Sequence, residues 1–175
     1  MSHTEKIAGE LAALTAGIEA AQGRAAAADQ QAQDVALRAA GAGFAALAAG
    51  MARVREAINA IQGGLNGLAG ATGEAMKLAT VVPEGGTPQE TIAGLASVQN
   101  AVSGLHEMAV GVIEQISQAQ RLVAMVLQGG QPGPMLSALD NVKQVVVLVA
   151  QRSGDARQAI EVATAEARQL GISGN

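Results

Sequence analysis

Apolar residues recur along this chain at alternating steps of four and three, and the pattern is written four times. The first run is Ile7, Leu11, Leu14, Ile18, Ala21, Ala25, Ala28, Ala32, Val35 and Ala39. The second passes through Phe44, Leu47, Met51, Val54, Ile58, Ile61, Leu65 and Leu68. The third starts at Leu95 and runs by Val98, Val102, Leu105, Ala109, Val112, Ile116, Ala119 and Val123 to Val126. The fourth starts at Met135 and holds its register through Val142, Val146, Val149, Ser153 and Ile160 to Leu170. Steps averaging 3.5 residues keep a single stripe on one side of a helix, whereas a strand would alternate every second residue. Such stripes are buried by packing long helices side by side. The sequence therefore predicts an all-α fold, an antiparallel up-down-up-down four-helix bundle built from two long helical hairpins with heptad packing.

Start and stop signals divide the chain. Ser2 followed by Glu5, and Thr87-Pro88-Gln89-Glu90, both read as capping boxes, with Pro at the first helical position in the second case. Gly133-Pro134 opens the last helix. Leu170-Gly171-Ile172 reads as its close, Gly171 supplying a left-handed cap. Helices are predicted over about 3–40, 44–80, 88–128 and 134–170, joined at Gly41-Ala42-Gly43, at 81–87 and at Gly129–Gly133. Short links force sequential neighbours antiparallel. The result is one domain, 1–175, made of hairpins 3–80 and 88–170 and a linker 81–87. The hairpins share length and heptads, without a residue-level repeat. Gly63, Gly64, Gly67, Gly70 and Gly73 strain this scheme, because each costs about 1 kcal/mol relative to Ala in a helix interior. They are expected to form a flexible segment where the second helix frays or kinks.

Composition narrows the chemistry. The chain is 175 residues long and 49% hydrophobic, yet Phe44 is its one aromatic residue, so Ala, Val, Leu, Ile and Met must fill the core. Charged residues make up 15%, against about 25% in ordinary domains. That poverty suggests an outer surface covered by a protein partner or a second copy. The net charge is −4 and the basic residues are scattered, which argues against nucleic acid, since that class needs a basic stripe. The absence of Cys removes disulfides, thiolate metal sites and Cys nucleophiles. No run of about 20 apolar residues could span a bilayer, so a membrane is not expected. The first residues carry no signal-peptide pattern. A cytoplasmic location is expected, with secretion by a route that needs no signal peptide left open.

Enzyme signatures are missing, and no enzyme activity, cofactor or metal is expected. A di-iron bundle needs Glu-x-x-His motifs, but Ser103 stands three before His106, which reads as a boundary histidine. Gly70–Lys77 lacks the Gly-Lys-Ser/Thr of a phosphate loop. Ala21, Ala25, Ala28 and Ala32 mark a seam that admits a close neighbour. The informative stretch is Val145–Val149. Val146 and Val149 lie on the seam and Val145 flanks it, while Val147 and Leu148 point outward at positions that should be polar. This level faces Val110–Ile116 across the second hairpin. Val110, Ile113, Val147 and Leu148 are therefore the predicted interface, because contiguous exposed apolar surface marks interaction sites.

At Ile18-Glu19-Ala20-Ala21-Gln22, Gln30-Gln31-Ala32-Gln33 and Gln128-Gly129-Gly130-Gln131-Pro132-Gly133-Pro134, the chain resembles uncharacterised actinobacterial Ala/Gln-rich helical proteins, classed as domains of unknown function. The resemblance implies a bacterial, high-GC source and no known activity. More distantly the chain is similar to the helical hairpins exported by type VII (ESX) secretion systems, without their Trp-x-Gly turn or Tyr-containing tail. The expected function is a non-enzymatic helical scaffold or protein-interaction module that self-associates. A type VII-like secretion substrate or accessory protein is one alternative, and a reversible amphipathic lipid-surface binder is the other.

Overall fold

The structure is a computed structural model that describes residues 2–174. Four helices account for nearly all of it: α1 (His3–Gly41), α2 (Ala45–Thr80), α3 (Pro88–Val126) and α4 (Gly133–Ser173). At 1.5 Å per residue each is roughly 55–60 Å long. The helices form a ring in which α1 touches α2 and α4, α3 touches α2 and α4, and the diagonal pairs stay apart. Contacts that advance along one helix retreat along its neighbour. Between α1 and α2 they run from Thr15–Met76 through Gln22–Asn66 to Asp29–Arg55. Between α2 and α3 they run from Gly50–Val126 through Gly64–Val112 to Gly67–Met108. His3 meets Glu166, and Arg24 meets Asn141, between α1 and α4. The chain therefore runs up, down, up and down, as expected.

Both capping boxes form. The Glu5 amide donates to Ser2 Oγ and the Ser2 amide returns to the Glu5 carboxylate. At the start of α3 the Glu90 amide donates to Thr87 Oγ1 at 3.3 Å, and the Thr87 amide donates to Glu90 Oε2 at 2.9 Å. Bonds from the Thr87 amide and then its hydroxyl hold the Glu90 carboxyl below its ordinary pKa. A depressed carboxylate contributes stability above its unfolded pKa and loses it as pH falls through the lower folded value. Titrating the melting temperature into acid should therefore show a fall that is smaller in Glu90→Gln, which keeps the cap's hydrogen-bonding shape without the titrating carboxyl. An unchanged acid limb in that variant would remove the cap from the account.

The first turn is a Schellman motif. Phe44 N–H donates to Ala39 O at 2.8 Å and Gly43 N–H to Ala40 O at 3.1 Å. Gly43 takes φ +85, a conformation that side chains with a Cβ resist. After α3, Gly129 takes φ +86 within a turn closed by Gly130 N–H donating to Leu127 O at 2.9 Å, and the helix itself ends at Val126, two residues before the expected boundary.

Three expectations are corrected. α2 is one uninterrupted helix through Gly63–Gly73 and does not fray. Leu65 and Leu68 are fully buried in that stretch, and most helical stability in proteins comes from burying such a face rather than from intrinsic propensity. Second, α4 does not close at Gly171. It passes through that residue to Ser173, whose successor Gly174 donates to Leu170 O. Third, the stripes overrun the core at two ends. Phe44 is 62% exposed and Leu170 is 68% exposed, because each lies where its neighbours have already turned away.

Bulk is distributed in compensation along the bundle. The large residues of α1 (Ile7, Leu11, Leu14 and Ile18) lie at the level of Thr72, Ala75 and Ala79 on α2, and on α4 of Val149, Ser153, Ala156 and Ile160, where small and large residues alternate. Its alanines, Ala21 to Ala32, lie at the level of Met51–Leu65 and of Met135–Val146. The alanine seam is thus filled from both sides, by Met51, Val54, Ile58, Ile61 and Leu65 of α2 and by Met135, Leu139, Val142 and Val146 of α4, all of them buried.

Candidate interaction surfaces

Polar groups are few inside the bundle. Thr72 and Ser153 are the buried polar side chains among the described residues, and no buried side-chain donor or acceptor among them lacks a partner. Thr72 donates to Leu68 O of its own helix. Ser153 occupies a stripe position of α4 and donates to Ala150 O at 2.6 Å. His106, half-buried on the flank of α3, places Nδ1 3.0 Å from Ser153 Oγ and 3.2 Å from Ala150 O. A carbonyl oxygen only accepts, so it is the tautomer with hydrogen on Nδ1 that lets the imidazole donate to this pair. The arrangement ties α3 to α4 at one level. It does not prepare a nucleophile, because the Ser153 proton is already directed to a backbone carbonyl.

No group of three His, Asp or Glu among the described residues could hold a metal ion. No described helix is long and apolar enough to cross a membrane. The surface cavities are open grooves. The one at the turn end, about 500 Å3, is lined by Val35, Phe44, Leu47, Leu127 and Met135, with Arg38 and Gln131 at hand. Sequence reasoning placed Phe44 in the core and so missed this groove. The signal was the left-handed Gly43 immediately before it.

The four residues of the predicted interface lie at one level of the second hairpin but not in one environment. Leu148 is 55% exposed and Val110 is 50% exposed. Val147 is half-buried, and Ile113 packs against the core. Val145, which flanks the stripe, is buried. Val147 and Leu148 line a shallow groove with Asp140, Lys143, Gln144 and Gln151, so the apolar pair sits inside a polar frame. The expected belt is reduced to exposed Val110 on α3 and, on α4, exposed Leu148 beside half-buried Val147.

Comparison with known proteins gives one positive finding. Residues 86–172 match the DUF6244 family of unknown function. No curated protein and no solved structure matches the chain. The DUF6244 match begins in the α2–α3 connection and stops within the last turns of α4. It therefore covers the second hairpin and about half of the chain, and Val110, Val147 and Leu148 lie inside it.

Proposed function

We propose that this protein is a non-enzymatic helical interaction module that self-associates through the outer faces of α3 and α4. The observation that carries the reading is the mid-helix exposure of Val110 on α3 and of Leu148 on α4, where the repeat calls for polar residues. Recognition would follow helix-face physics, with apolar anchors set in a polar surround. Light scattering behind a sizing column tests it. Native protein is expected to show a mass above the monomer. Replacing Val147 and Leu148 together by Glu is expected to weaken association about 30-fold or more, with helical circular dichroism unchanged. A native protein that runs as a monomer, or a double variant that associates as before, would end this reading.

A further inference from the structure

Polar ties and apolar contacts are sorted by hairpin. Within the first hairpin, Arg55 holds Asp29 through two hydrogen bonds, at 3.0 and 3.3 Å, and Gln22 bonds Asn66. Within the second, His106 bonds Ser153 and Ala150. Between the hairpins the polar contacts are exposed ones on the α1–α4 side, His3 with Glu166 and Arg24 with Asn141 O. The α2–α3 side is held by packing alone.

That packing has a direction. A Cβ built on Gly17 would stand 3.0 Å from Val149 Cγ2, and one on Gly50 would stand 2.6 Å from Val126 Cγ1. On Gly64 it would stand 2.7 Å from Val112 Cγ2, and on Gly67 3.1 Å from Met108 Cε. Each of these four sockets belongs to the first hairpin, and each knob that fills one belongs to the second. Two copies of the second hairpin would set knob against knob. The first hairpin is therefore a receptor for the second, and the two are joined by the single connection 81–87, which turns at Gly85 with φ +85.

We infer that the sockets of one copy accept the second hairpin of another, giving a reciprocal hairpin-exchanged dimer. The partner surface is already present on every chain, at native complementarity, and the exchange breaks no tie within a hairpin. This inference uses the inner faces of the hairpins and is independent of the outer-face reading above. The short connection favours closure within one chain, with an effective concentration on the order of millimolar, so exchange should emerge as protein concentration approaches that value.

A chain without cysteine permits a direct test. The Cβ of a residue at 64 would lie 3.9 Å from Val112 Cβ, inside the disulfide range of about 3.5–4.5 Å. The double variant Gly64→Cys, Val112→Cys is refolded at increasing concentration, oxidised, and run on a non-reducing gel. The covalent dimer is expected to rise from under about one-tenth at micromolar to roughly half near millimolar concentration. A bond that closes within one chain at every concentration overturns the inference, and that is also what a dimer formed by outer faces alone would give. In a second variant Pro83, Gly85, Gly86 and Pro88 are also replaced by Ala, so that α2 continues into α3 and cannot fold back. This chain is expected to link wholly between copies, and a monomer-sized product from it would overturn the inference as well.

Discussion

Exchanging bulk between α1 and α2 should restore the stability that either substitution alone removes. The Gln22–Asn66 and Asp29–Arg55 pairs bracket Ala25 and Ile61 on neighbouring helices, and both residues are buried. Ile61→Ala is expected to cost about 4 kcal/mol, near the upper end for such truncations. The facing alanines have no reach with which to fill the space. Ala25→Ile is expected to cost about 1–3 kcal/mol or more by overpacking. The double variant, which conserves the volume of the layer, should return to within about 1.5 kcal/mol of the native protein. Urea unfolding of the four proteins measures the coupling. Additive losses would mean that the two positions do not share a layer and that the compensation described above is wrong.

The glycines of α2 should respond with opposite signs according to what lies over them. Gly63, Gly70 and Gly73 have open space where a Cβ would go. Replacing all three by Ala should stabilise the protein by about 1.5–3 kcal/mol, at roughly 0.5–1 kcal/mol each. Gly50 and Gly64 receive valine methyls, and a Cβ there would collide at 2.6 and 2.7 Å. Ala at either should lower stability by about 1–2 kcal/mol, the gain in helix propensity being outweighed by displacement of the valine. Thermal unfolding of the triple variant and of the two single variants separates the classes. A triple variant no more stable than the native chain would mean that the glycines are retained in α2 for a reason other than packing.

Helix number, order and direction were legible because each stripe of the repeat is long and the connections are short. The caps at Ser2 and Thr87 were legible because a capping box is a local arrangement of side chains and backbone that needs no tertiary partner. Misreadings arose where local and tertiary terms compete. The glycine cost in α2 is real per residue, yet Leu65 and Leu68 anchor the helix through it. Gly171 has the identity of a cap but lies mid-turn, since Ile172 and Ser173 continue the helix. Phe44 and Leu170 keep the period of the stripe beyond the last layer that has neighbours. At the candidate interface, period alone separated Val147 and Leu148 from the core. It could not show that Ile113 packs inward, because a flanking position is covered or left open by the neighbouring helix. The socket-and-knob pairing was hidden for a related reason. It depends on which glycine of one helix meets which valine of another, an axial register that no single stripe contains.

The order of helices around the ring has an entropic consequence. Three of the four interfaces join helices that follow one another in sequence, and only the α1–α4 interface brings together the two ends of the chain. Closing a loop costs entropy that grows slowly with its length. Once the three local interfaces stand, the ends of α1 and α4 are already neighbours, and nearly all of the closure cost for the fourth has been met. The long-range contact is thus the least demanding step in completing the ring, although by sequence separation it looks the hardest.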